Sequence, residues 1–305
     1  MTESTVLSHT ELEAYLPHRG CNLLLDDLTI NADSTKGVGN VCIAADDPHG
    51  RSIFGRDDGA GNRCWQEPFL AEILALAGVS LLKERLAAEG KEGVYSAISR
   101  VKCHGLARMD IPLEATAIIS RDRGGFTQFT GGLLQDGRSV MEGEFMSGRA
   151  PLDEVASKPA QPGDGVSGEA LTADFGWKDP RMCFVDDVRS WNAETGEIAC
   201  GYTYPVDHPF VPGHFPNAAL MMGVTQWLAI ADAAVEAATR LGTTGDLKVS
   251  GAVKRATGNS VVDVRDLVLG WDQGVPVIRS TNRIAFREPV RPGDGLIAEI
   301  TAVPC

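Results

Sequence analysis

The chain has 305 residues, 43% of them hydrophobic, which is enough for two ordinary domains or one large one. Lys and Arg total 28 against 41 Asp and Glu, and a formal charge of −13 excludes the basic, phosphate-tracking surface that nucleic acids require. The N-terminal stretch has neither a basic run nor an apolar centre, and no later run has the length of a membrane span, so an untargeted, soluble cytoplasmic protein with no membrane partner is expected. Seven cysteines (Cys21, Cys42, Cys64, Cys103, Cys183, Cys200 and Cys305) stand singly with no CxxC pair, a pattern that favours reduced thiols over a disulfide framework or zinc site.

In chain order, a short apolar strand, NLLLDDLTI, leads to the long apolar run PFLAEILALAGVSLLKERLAAEG, which predicts a helix of several turns. Period-two alternation in LEATAIISRD, GFTQFTGGLLQ and RSVMEGEFMSG predicts strands, the last two joined at Asp136-Gly137. From Ser157 to Asp174 the sequence is rich in Pro, Gly and small polar residues, as an exposed linker is. Beyond it CFVDDVRSW precedes a second long apolar run, LMMGVTQWLAIADAAVEAATRLG. LLLDDL around Asp26-Asp27 recurs as CFVDDV around Asp186-Asp187, each before its single long helix, so the chain reads as a duplication. The boundaries fall at 1–156, a linker at 157–176, and 177–305. Both helices are apolar over most of their circumference and must be wrapped, which predicts an α+β layer structure in which each sheet encloses its helix.

HPFVPGHFPNAALMMGV, residues 208 to 224, resembles the signature of the beta-hydroxyacyl-ACP dehydratases, in which a GHFP turn carries a catalytic histidine and a Gly-Val pair opens the central helix. LPHRGCNLLLDDL and VRPGDGLIAEI resemble the opening and the PGD turn of the same family, and AEILALAGVSLL its acid-bearing helix. The resemblance implies a tandem double hotdog, two hotdog domains paired as a pseudo-dimer. It implies His214 and Glu72 as catalytic residues, and Gly223, Phe215, Pro216 and Val224 as substrate-binding residues. In the family the histidine and acid lie fourteen positions apart, and each site takes one from each hotdog. Here Leu228 stands where His214 would expect its acid, and Asp58, or Arg56 if Gly55 is aligned, stands where Glu72 would expect its histidine. Glu67 occupies the position of Gly223. One live site, His214 with Glu72, and one defunct site are therefore expected.

Dehydrating a 3-hydroxyacyl thioester needs a base for the proton beside the carbonyl and an acid for the departing hydroxyl. A neutral His214 suits the first role. Glu72 shares its helical stripe with Phe69, Leu76 and Val79, so burial should keep it protonated for the second. Backbone N–H groups at the helix N-terminus near Gly223 would receive enolate charge. No metal or organic cofactor is called for. The expected substrate is an acyl thioester on acyl carrier protein or coenzyme A, its chain in a tunnel between the two helices, and the expected product a trans-2-enoyl thioester. Arg181, Lys254, Arg255 and Arg287 are candidates for a basic rim that would suit an acidic carrier. Further dimerisation, or membership of a larger synthase, stays open.

Plainer alternatives accompany each assignment. His214 in a Pro/Gly turn could be a hydrogen-bonded surface residue, and Glu72 the partner of a buried Arg. Asp232, one turn beyond Leu228, reads as structural, His18 and His208 as turn and packing residues, and Trp65, Trp227 and Trp271 as core or pocket wall. A hotdog thioesterase and a non-catalytic acyl-binding or assembly module are the functional rivals. After the PGD turn the chain is short of the family's further strands, while a strand-rich stretch precedes that turn, which leaves a rearranged final sheet and a piece of a larger synthase as readings.

Overall fold

A computed structural model describes residues 3–151, 155 and 157–305, so the boundary expected at 156 lies outside the described residues. The first half runs β1 (Thr5–Ser8), α1 (His9–Tyr15), β2 (Asp27–Ile30), β3 (Lys36–Val41), the hairpin β4 (Gly55–Asp57) and β5 (Arg63–Trp65), α2 (Glu67–Ser80), α3 (Lys83–Ala88), and then β6 (Glu92–Cys103), β7 (Leu113–Arg123), β8 (Phe126–Gln135) and β9 (Arg138–Ala150). The second runs β10 (Glu169–Ala170), β11 (Asp187–Asn192), β12 (Glu197–Thr203), α4 (Gly223–Leu241), β13 (Leu247–Arg255), β14 (Ser260–Asp272), β15 (Val275–Phe286) and β16 (Gly295–Pro304).

The first Asp of each repeated Asp-Asp pair does the same work in both halves. The Asp26 N–H donates to Asn40 and its carboxylate accepts from the Cys42 N–H at 2.7 Å, which ties off the end of β3. Asp186 donates to Gly201 and accepts from the Thr203 N–H at 3.0 Å, at the end of β12. The repeated strings thus carry a repeated hydrogen-bonding device.

The long helices form where apolar periodicity predicts them, with one difference. The expected helix at 68–90 divides at Leu81-Leu82 into α2 and α3, because Gly78-Val79-Ser80 is a run of weak helix formers and the Ser80 hydroxyl donates to the Leu76 carbonyl at 2.7 Å, competing with the backbone. Pro68 sits in the first turn, where its missing N–H costs nothing. Gly242, at φ 64°, closes α4. Nearly every residue of α2 is buried, as are fifteen consecutive positions of α4 from Val224 to Ala238, and the two helices pack together. Among the described residues no helix is long and apolar enough to cross a membrane.

Fourteen strands make one antiparallel sheet in the order β1-β2-β3-β7-β8-β9-β6-β15-β14-β13-β16-β12-β11-β10. The halves join where β6 pairs with β15, Val101 opposite Thr281 and Ile98 opposite Ile284. Each half has four strands after its helices, but their chain order differs. In the first half the strand at the junction, β6, comes directly after α3. In the second, β13 and β14 come first, β15 reaches the junction third, and the turn at Pro292–Asp294 then delivers β16 beside β12, where β7 lies beside β3 in the first half. The second half thus has a rearranged strand order, with β13, β14 and β15 before the PGD turn and β16 after it.

The linker is exposed as expected but pinned to the second half. Its β10 edges the sheet beside β11, and the Glu236 carboxylate of α4 accepts from the Thr172 and Ala173 N–H groups. Trp65 and Trp227 lie in the core and Trp271 packs partly buried against it, while His208 hydrogen-bonds the Arg181 carbonyl at 2.9 Å, all as expected.

Candidate active site

His214 is held by its own loop. The ring Nδ1 lies 3.0 Å from the Leu220 carbonyl, and the Leu220 N–H donates to the His214 carbonyl at 2.8 Å. A carbonyl only accepts, so Nδ1 carries the proton of the neutral ring and the Nε2 lone pair is free. Gly213 brings this loop against the first half: a Cβ there would fall 2.2 Å from the Arg19 carbonyl oxygen. The Arg19 N–H donates to the Gly213 carbonyl at 3.1 Å, and His214 consequently stands beside His18, ring centroids 5.3 Å apart.

Glu72 rises from α2 to the same place. A ring nitrogen of His18, one of His214 and a carboxylate oxygen of Glu72 all lie within 4.8 Å of one another, and all three residues are buried. Glu72 Oε2 has no hydrogen-bond partner, and burial alone pushes its carboxyl up to about 8. Burial lowers His214 to about 4, and lowers His18 well below its ordinary value, with the neighbouring His214 adding to the effect. Near neutral pH the cluster therefore holds a protonated carboxyl beside an unprotonated imidazole. No basic residue pairs with Glu72 among the described residues, contrary to the plain alternative of a buried Arg partner.

These residues open onto a mostly apolar cavity of about 200 Å³. It extends along α2 past Leu76 and Val79 to Phe129 of β8 and Phe145 of β9, with α4 contributing only Gly223 and Gln226. The cavity runs between α2 and its own sheet and not between the two helices, where a tunnel was expected, because the facing surfaces of α2 and α4 are packed together. Gly223 and Phe215 line the cavity, and a Cβ on Gly223 would sit 3.0 Å from the Phe286 ring, so glycine lets that ring close the wall. Val224 and Pro216 do not line it. One residue along a helix is a turn of about 100°, which points Val224 into the core, and Pro216 is exposed at the tip of its turn. His18, read as a turn residue, lies on the cavity wall. The signal was its place in LPHRG, but nothing local tells that the turn abuts residues some two hundred positions on.

The second half has residues at matching spacings. Lys178 stands eight residues before Asp186, as His18 stands eight before Asp26, and Leu228 lies five beyond Gly223, as Glu72 lies five beyond Glu67. Arg56, not Asp58, is the residue facing Leu228: Asp58 is spent in its own turn, accepting from the Ala60 N–H at 2.8 Å and from Asn62. Arg56 pairs with Glu67 at 2.6 Å, and Lys178 with Asp232, which also accepts from the Phe184 N–H at 2.8 Å. Two buried ion pairs thus lie beside Leu228 and leave a gap of only about 20 Å³ there.

The basic rim does not form. Arg181 pairs with Asp179, Lys254 with Glu299 and Arg287 with Asp263, while Arg255 is buried against Glu288 and Asp294. Each cation is neutralised by a neighbouring carboxylate, so the four make no free positive patch.

No family model matches the sequence, and no curated protein matches it. Among solved structures, the chain is similar to the dehydratase heterocomplex ApeI:P from Xenorhabdus doucetiae, at 20% identity over 48% of this chain and 97% of that one, with a TM-score of 0.37. It is similar also to a hypothetical thioesterase with coenzyme A from Streptococcus pneumoniae (12% identity, 38% of this chain, 80% of that one, TM-score 0.29). A third is a thioesterase superfamily member from Thermus thermophilus (15%, 38%, 81%, TM-score 0.31).

Proposed function

We propose that the chain is a tandem double hotdog that removes water from beta-hydroxyacyl thioesters at one composite site, with His214 as base and Glu72 as acid. The observation that carries this reading is that the two side chains meet, buried, on one mostly apolar cavity, where burial favours a protonated carboxyl and an unprotonated imidazole. The His214 Nε2 lone pair takes the proton from the carbon beside the thioester carbonyl. Electrons move onto the thioester oxygen, which the free N–H groups opening α4 at Gly223 stabilise. The enolate then re-forms its carbonyl, the carbon–carbon double bond closes, and the hydroxyl leaves as water with the Glu72 proton. Imidazolium and carboxylate remain, close enough for the proton to return. A carboxyl that burial keeps protonated suits donation to a leaving hydroxyl better than the activation of water that a carboxylate-based thioesterase requires.

The thioester is carried by coenzyme A or by a carrier protein. The test is hydration of crotonyl thioesters of both kinds by the full chain, followed at the enoyl absorbance and beside a free-thiol assay. His214→Ala and Glu72→Gln should each lower turnover by about 10²- to 10⁴-fold. Turnover that survives both excludes this pair, and release of free thiol without hydration would mean thioester hydrolysis.

A further inference from the structure

We infer that His18, Glu72 and His214 form a three-ligand site for a divalent first-row transition cation of the Zn2+ class, and that this cation and an acyl thioester exclude one another. The metal site stands on geometry alone, and the exclusion rests on the dehydratase reading. Two imidazoles and one carboxylate are a donor set that suits such cations and leaves coordination positions open, here toward the cavity. A tetrahedral cation at about 2.1 Å from its ligands spaces them about 3.4 Å apart. Three donor atoms already within 4.8 Å of one another need only small side-chain rotations to reach that spacing.

Two further observations point to a missing ligand. Glu72 Oε2 and His18 Nδ1 are both buried without a hydrogen-bond partner. Buried polar atoms are ordinarily satisfied by a partner. The contact from His214 Nδ1 to the Leu220 carbonyl is also the outer-shell hydrogen bond that orients a metal-binding imidazole and leaves Nε2 free to ligate. Occupancy would take up the His214 lone pair and displace the Glu72 proton, on both of which dehydration depends.

The experiment is titration of the chelator-treated full chain with Co2+, read by visible d–d absorption, and with Zn2+, read by calorimetry. One cation per chain is expected, weakened at least about tenfold by His18→Ala and by Glu72→Gln. The second variant keeps size and shape and so guards against loss through misfolding. His104→Ala, at an exposed surface position beside Glu142, should leave binding unchanged. Absence of one-to-one uptake, or uptake indifferent to both ligand substitutions, overturns the site. With crotonyl thioester present, Zn2+ should suppress turnover at the same midpoint and chelator should restore it, and bound cation with unaltered turnover overturns the exclusion. Uptake is read without substrate, so a chain that binds the cation but dehydrates nothing keeps the metal site and removes the functional reading.

Discussion

Lys178 closes on Asp232 in the second half where, in the first, His18 stands open to a cavity beside Glu72. The ion pair is wholly buried, and Asp232 keeps a second bond from the Phe184 N–H. Removing only the cation strands a carboxylate in the core. Lys178→Met should therefore cost about 3–5 kcal/mol of stability, measured by denaturant unfolding. The double variant Lys178→Met with Asp232→Leu should recover much of that loss, since apolar replacement of a buried pair is often neutral. Turnover per folded molecule should hold in both, because neither residue lines the cavity of His214 and Glu72. A single variant as stable as the parent would show that water reaches Asp232.

The His214 contact with Leu220 and the burial of Glu72 together set a pH profile. Dehydration on the proposed mechanism needs His214 unprotonated and Glu72 protonated. Activity should fall on the acid side as pH drops through about 4, where His214 gains a proton, and on the alkaline side through about 8, where Glu72 loses its own. The expected kcat/KM curve is a broad bell between those limits. An alkaline limb absent to pH 10 would remove Glu72 from the role of acid.

Glu72 should also make the fold pH-dependent. In the unfolded chain its carboxyl ionises above about 4.3, whereas the folded chain retains the proton to about 8. Between those values the folded state binds more protons than the unfolded one, so stability falls as pH rises. Glu72→Gln, which cannot ionise, should stabilise the protein by a few kcal/mol above pH 8 and by little below pH 4.5. Thermal unfolding of the two proteins at several pH values measures this. A gain independent of pH would point to packing instead of ionisation.

The parts of this molecule legible in the sequence are those set by local pattern. Helices at Glu67–Ser80 and Gly223–Leu241 announce themselves because they are apolar on nearly every side, and the Asp26 and Asp186 repeats mark equivalent strand ends. His214 and Glu72 were nameable because each sits in a distinctive string. Strand order in the second half was not, since β13 and β14 alternate like any half-buried strands and pairing is decided by partners distant in the chain. Nor was the place of His18, which depends on Gly213 packing against the Arg19 carbonyl across the two halves. The linker ran the same way: its composition signals exposure but not the bonds to Glu236 that hold it.

Phe129 offers a test of where the acyl chain lies. Its ring forms part of the cavity wall, packs against α2 at Gly78 and stands opposite Phe145 across β8 and β9. Phe129→Ala should cost about 3–5 kcal/mol of stability, since the ring is buried and the strands around it cannot collapse into the space. The same deletion should lengthen the room available beyond Glu72. On the proposed reading the variant then favours longer enoyl thioesters, by about fourfold in kcat/KM for each further methylene that enters the new space, given about 0.8 kcal/mol per buried CH₂. A series of substrates of increasing chain length measures the shift. An unchanged optimum in a folded variant would mean that the acyl chain does not run along α2 to the sheet, and the cavity would lose its assigned role while the His214 and Glu72 pair could still stand.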